Sequence, residues 1–134
     1  MRVHLTVAAA VAFAAVSLMP ALAAPPPEKI GIEGLNNSGE AGVVTLTAKG
    51  NKTLVSLQVE GEPRGAKEPS HIHRGPCDHL NPVPAYPLNP LVNGRSTTVV
   101  NAPLSKLMSG NYSVNVHQSV KNLKHYVACG QLVE

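Results

Sequence analysis

Three histidines of the chain stand at spacings that suit a metal ion. His71 and His73 are separated by one residue in segment 70–73, which is typical of a short strand. Residues i and i+2 of a strand point to the same face, so the two imidazoles should lie side by side. His117 ends a second strand-like run, 112–117, and supplies a third nitrogen if the two strands meet in one sheet. Imidazole ligands suit copper and zinc.

Two other histidines are weaker candidates. His79 follows Cys77 by two residues and is within loop reach of the pair as a fourth ligand, although a solvated loop histidine explains it equally well. His125 shares a strand face with Cys129 and is interpreted as structural or exposed. Histidine pairs also occur by chance on exposed strands, so the pattern alone leaves a metal-free interpretation open.

The N-terminus has the pattern of a secretory signal peptide. Arg2 and His4 form a short positive region, an apolar run covers residues 5–18, and small residues precede a cut after Ala23. The apolar run is shorter than the roughly 20 residues of a membrane-spanning helix. We therefore expect residues 1–23 to be a signal peptide and the mature protein to be periplasmic or secreted, without stable membrane insertion. An uncleaved anchor is the alternative.

Export bears on the two cysteines, Cys77 and Cys129. An even pair in a small exported domain is usually bonded, so a disulfide is predicted. Reduced thiols or thiolate metal ligands are the alternatives.

Length and charge limit the remaining possibilities. Removing residues 1–23 from 134 leaves 111, enough for one domain. The mature part carries ten Lys and Arg, since Arg2 is removed, against eight Asp and Glu, and no basic run stands out. Nucleic acid is therefore not an expected partner. Asp78 is the one aspartate, and no nucleophile elbow, phosphate loop or dinucleotide fingerprint occurs. No apolar stripe suggests an obligate interface, so a monomer is expected.

Alternating patterns predict an all-β fold. The runs 41–48 and 55–59 flank a Gly/Asn turn and predict a hairpin. Further strands are predicted at 70–73, 95–100, 112–117 and 126–133, with a helical turn at 103–108. Residues 24–37 are expected to form a Pro-rich extended lead-in to a domain over 38–134, and residues 74–93 are expected to be irregular because their prolines exclude a central strand or helix there. The prediction is an antiparallel Greek-key β-sandwich or barrel.

The order of these features resembles the copper/zinc superoxide dismutases. Segment 38–46 resembles the opening of their first hairpin, His71-Ile72-His73 their paired copper ligands, and Val116-His117 their later copper ligand. Cys77 and Ala128-Cys129-Gly130 resemble the two half-cystines. The resemblance covers most of residues 38–134 and implies copper on His71, His73 and His117, with a Cys77–Cys129 disulfide.

A second family, the chordin-type (CHRD) domain, is similar at other points. The chain resembles it at His71-Ile72-His73, at 82–88, at 112–117 and at Gly130-Gln131-Leu132. That family implies the same sandwich, often without a settled biochemical role.

The chain departs from the dismutases in its loops. Only 39 residues separate Cys77 from His117 and 11 separate His117 from Cys129, so the zinc and electrostatic loops are shortened. Tyr126 stands where the enzymes carry an active-site arginine, and Arg74, Lys121 and Lys124 do not match that position.

Three functions follow from these observations. The first is an exported copper-binding protein that serves copper tolerance or handling, with zinc as a less favoured ion. The second is a copper-only superoxide dismutase acting on superoxide. The third is a metal-free interaction module.

Overall fold

The computed structural model describes residues 10–133 of the chain. Its ordered part contains eight strands and one short helix within those residues, which confirms the predicted all-β antiparallel fold. In chain order the elements are β1 Glu28–Gly34, β2 Ala41–Lys49, β3 Lys52–Glu60, β4 Lys67–Arg74, β5 Pro84–Val92, β6 Arg95–Val100, α1 Leu104–Ser109, β7 Tyr112–Ser119 and β8 Asn122–Leu132.

The strands close into a barrel in the order β1-β2-β3-β6-β5-β4-β7-β8. β3 pairs with β6 and β4 pairs with β7, so the chain crosses the barrel twice in the Greek-key manner. Two of the strand-to-strand contacts, here called seams, are short. β1 pairs with β8 at two residue pairs, and β5 pairs with β6 at one. These thin seams give the barrel the character of two packed sheets, as the sequence predicted.

The barrel is filled by aliphatic side chains that alternate along the strands. In β2 and β3 the predicted hairpin forms around Gly50 and Asn51, and the inward residues are fully buried. Strand alternation places the polar partners outside. The largest buried side chains include Leu46, Leu57, Ile72, Leu91, Leu107, Tyr112, Val114 and Leu132.

The region predicted to lack a strand because of its prolines does contain one, and that prediction was wrong. β5 carries Pro84, Pro87 and Pro90, yet it pairs with β4 along most of its length, across two register shifts. Proline removes a backbone donor, which is harmful where both edges of a strand are regularly bonded. On the β6 side the bonds are made by side chains instead. Asn89 Nδ2 donates to Thr97 O, and Ser96 Oγ donates to Asn89 O.

The N-terminal segment contributes more than an extended lead-in. β1 lies within the predicted Pro-rich segment and pairs with both β2 and β8, so the barrel begins before residue 38. Of the predicted signal peptide, residues 1–9 lie outside the described residues, and residues 10–23 show no helix or strand. Signal cleavage stays a prediction. Across residues 10–133 we find no helix with the length and apolarity needed to span a membrane.

The predicted disulfide is present between Cys77 and Cys129. It joins the loop after β4 to β8, across 52 residues of sequence. In the chain-entropy account, a cross-link that closes a loop of this length stabilises the folded state by about 4 kcal/mol.

Replacing both cysteines by alanine should therefore lower the free energy of unfolding by about 4 kcal/mol. Denaturant unfolding of the C77A/C129A double variant measures the loss. The wild-type protein under reducing conditions should show a similar loss. An unchanged unfolding midpoint in both samples would contradict the stabilising role.

Two carboxyl groups are buried together at one end of the barrel. Glu40 immediately precedes β2 and Glu68 lies in β4; they are 3% and 1% exposed, and one carboxyl oxygen of each lacks a hydrogen-bond partner among the described residues. Burial, followed by the charge of Glu40, raises the pKa of Glu68 to about 7. Burial also raises the pKa of Glu40. Folding therefore favours the protonated form of this pair.

A raised pKa in the folded state makes stability fall as pH rises. For Glu68 the loss should develop between its unfolded value of 4.5 and its folded value of about 7. Glu68→Gln, which carries no charge at any pH, should raise the melting temperature more at pH 8 than at pH 5. The exposed Glu60→Gln serves as the control and should show no such difference. Equal effects of Glu68→Gln at both pH values would contradict the assignment.

Candidate metal centre

The three candidate histidines lie on the outer face of the barrel wall formed by β4 and β7. These strands are antiparallel neighbours, with Ile72 opposite Val114 and His71 opposite Asn115. Ile72 and Val114 are completely buried in the core. Because successive side chains of a strand alternate, the intervening histidines must point outward. β4 and β7 are thus neighbours in one sheet, which is what the sequence prediction required for His117 to join His71 and His73.

Although they point outward, two of these histidines are shielded from solvent. His73 is 1% and His117 is 4% exposed, whereas His71 is only partly buried. Backbone hydrogen bonds hold the loop between β4 and β5 against the wall: Gly75 N–H donates to Asn111 O, and Asn81 N–H donates to Arg74 O. The disulfide from this loop to β8 adds a covalent attachment.

Backbone carbonyls orient two of the three rings. His73 Nδ1 lies 2.8 Å from the carbonyl oxygen of Asn81, and His117 Nδ1 lies 2.6 Å from that of Leu123. A carbonyl oxygen only accepts, so both Nδ1 atoms carry the proton. In the neutral rings the lone pair is then on Nε2. A ligating histidine commonly makes this kind of outer hydrogen bond, which fixes its tautomer.

The remaining nitrogens converge. His71 Nδ1 lies 2.9 Å from His117 Nε2, and His73 Nε2 is buried without a hydrogen-bond partner among the described residues. One nitrogen of each ring lies within 4.8 Å of those of the other two. Nitrogens bound at about 2.0–2.1 Å to one tetrahedral ion are about 3.3 Å apart. The cluster therefore needs a closure of about 1.5 Å at most between its farthest nitrogens to hold one ion.

Two rings of the cluster are joined by a hydrogen bond. His117 Nε2 is an acceptor, so His71 must donate its Nδ1 proton to it. To ligate an ion through Nδ1, His71 has to carry its proton on Nε2 instead. An ion held by these three nitrogens would replace the His71–His117 hydrogen bond, and its ligands would have to be neutral imidazoles.

The surroundings favour neutral rings. Burial, followed by the neighbouring His117 and His73, lowers the pKa of His71 to about 4. Burial is also the largest cause of the lowered pKa of His117, against which the hydrogen bond to Leu123 works in the opposite direction. The lowered pKa values of His71 and His117 therefore favour neutral rings whose lone pairs are available to an ion.

The other predicted site residues lie apart from this cluster. His79 is exposed and His125 is partly buried, and neither belongs to the group of nitrogens that converge. The role of His79 as a fourth ligand stays a prediction; its backbone N–H donates to Pro76 O in a turn of the loop. Tyr126 does lie at the site, with its ring edge-on to His117 at 5.2 Å between centroids.

Sequence reasoning missed the groups that orient the histidines. The carbonyls of Asn81 and Leu123 belong to a loop residue and a strand-end residue, and a backbone carbonyl leaves no mark in residue type. Asn115 was also passed over, although it precedes His117 by two residues and so shares its face. The period-2 rule that found the histidine pair could have found it.

Comparisons of the chain with protein-family models, with curated proteins and with solved structures find no match. The chemistry of the site must therefore be inferred from the geometry of its residues.

His71 should stay neutral in the metal-free protein until the pH approaches 4, because its folded pKa lies far below the usual 6.5. Protons then bind the unfolded chain first, so this group should cost stability as pH falls from about 6.5 to about 4. Histidine-ring NMR resonances of the metal-free protein, followed against pH, measure the titration. A midpoint for His71 near 6.5 would contradict the buried, neutral cluster.

Proposed function

We propose that this chain is an exported copper-binding protein that holds one copper ion through His71 Nδ1, His73 Nε2 and His117 Nε2. The observation that carries the proposal is the convergence of three ring nitrogens, two of them oriented by backbone carbonyls. The order of these residues also resembles that of the copper ligands in copper/zinc superoxide dismutases.

Copper is preferred to other ions on the chemistry of the donor set. The group of residues suited to an ion contains three imidazoles and no carboxylate. Imidazole suits copper and zinc, and among divalent first-row ions Cu²⁺ binds a given nitrogen site most tightly. The ion would supply a redox-active positive centre. The chain's own residues contribute orientation of the rings and shielding by the loop after β4.

Export is supported by two features. The N-terminal residues have the pattern of a signal peptide, and the disulfide is of a kind that persists in oxidising compartments. A copper site in such a compartment suits tolerance or handling of the metal.

Copper binding is proposed in preference to superoxide dismutation because of the residue beside His117. That neighbour is Tyr126, an uncharged side chain at the position where the dismutases carry arginine. A cationic group at this point would attract an anionic substrate, and a phenol does not. The site therefore lacks that means of accelerating superoxide capture.

The purified chain should bind one equivalent of copper, and the loss of one ligand should weaken binding at least about tenfold. Cu²⁺ affinity measured by chelator competition tests this for His73→Ala and His117→Ala. Copper at 100 times its dissociation constant should also stabilise the wild type by about 2.7 kcal/mol.

The matched control is His79→Ala, which removes an exposed histidine and should leave copper affinity unchanged. Wild-type affinity in His73→Ala would refute the proposal. A superoxide assay on the copper-loaded wild type should show removal no faster than by free copper. Faster removal that disappears in His117→Ala would replace the binding function by the dismutase.

A further inference from the structure

Asn115 is a buried polar residue on the outer face of β7, and its side chain lacks the hydrogen bonds that a buried amide normally makes. It is 0% exposed, and neither Oδ1 nor Nδ2 has a hydrogen-bond partner among the described residues. A buried amide without partners is costly, because it has given up its hydrogen bonds to water. Ser113, two residues before it on the same face, shows the usual arrangement: its Oγ donates to Gly75 O at 2.8 Å.

The strand register places Asn115 next to the histidines of the cluster. It is the direct cross-strand partner of His71 on β4, and it precedes His117 by two residues on β7. Directly opposite side chains of neighbouring strands have Cβ atoms about 4.5–5.5 Å apart. His73 is its diagonal neighbour on β4, and the free Nε2 of His73 is likewise buried without a partner.

On its other side Asn115 is opposite Cys129 of β8, whose sulfur is bound in the disulfide. A disulfide offers neither a strong donor nor a strong acceptor to an amide. Of the side chains opposite Asn115 in the two neighbouring strands, only that of His71 can take part in strong polar bonding.

We propose that Asn115 is a fourth protein ligand of the metal site, binding the ion through its carboxamide Oδ1. This inference rests on the proposed function, since it assigns a further group to the same ion. A carboxamide oxygen would be a weak fourth ligand beside the three imidazoles, and oxygen ligands of this kind occur in copper sites. Ligation would give the orphaned Oδ1 a partner.

The proposal predicts opposite effects of one substitution on two properties. Asn115→Val replaces the unpaired amide by an apolar side chain that suits a strand, so the metal-free protein should melt at the same or a higher temperature. The same change should weaken Cu²⁺ binding about 10- to 100-fold, by analogy with the loss of a supporting group in other metal sites. Its electron paramagnetic resonance spectrum should also differ from that of the wild type.

Asn115→Asp keeps the shape and the ligating oxygen and adds a negative charge. It should bind Cu²⁺ at least as tightly as the wild type, with a changed spectrum. Ser70→Ala is the matched control. Ser70 lies in the same wall on the inner face, where its hydroxyl donates to Glu68 O, and its loss should leave copper affinity and spectrum unaltered.

Wild-type affinity and spectrum in Asn115→Val would overturn the proposal, as would a loss of affinity that accompanies an equal loss of metal-free stability. If Asn115→Val cannot be obtained folded, an unchanged spectrum in Asn115→Asp overturns it. Failure of the wild type to bind copper would refute the proposed function itself, and with it this inference. Copper binding that ignores Asn115 would refute only the inference.

Discussion

The alternation of side chains along β4 and β7 is the constraint on which the site depends. Ile72, Val114 and the residues at alternate positions along the same strands must face the core. The core consists mainly of aliphatic side chains, so the barrel depends on burying them. Every other side chain of the wall is then directed outward. A shift of either strand by one residue would expose the core and bury the histidines inside it, so packing of the core specifies the metal site.

The loop after β4 converts this outward face into a chemical environment. Without a cover, histidines on a barrel surface would be hydrated. The loop is held by backbone hydrogen bonds and by the disulfide, so the cost of ordering it is offset within the fold. The loop shields His73 and presents the carbonyl oxygen of Asn81 to it. For His73, shielding and orientation thus come from the same segment, whereas Leu123 of β8 orients His117.

Much of this arrangement was accessible from residue types. The alternating runs predicted the strands around both histidine motifs. The two-residue period of a strand placed His71 and His73 on the same face. The wrong prediction for β5 has its origin in long-range pairing. β5 forms despite its prolines because Asn89 and Ser96 take over bonds on its β6 side.

The amino-acid sequence by itself determined six of the eight strands, the faces on which the histidines lie and the pair of cysteines able to bond, since these follow from local periodicity and composition. The tertiary structure alone decided that β4 and β7 are neighbours, that the nitrogens converge, and that the buried amide of Asn115 has no hydrogen-bond partner within residues 10–133. Those outcomes depend on pairing between residues 38 to 46 positions apart. Local patterns do not specify such pairing, because it is selected by the packing of the whole barrel.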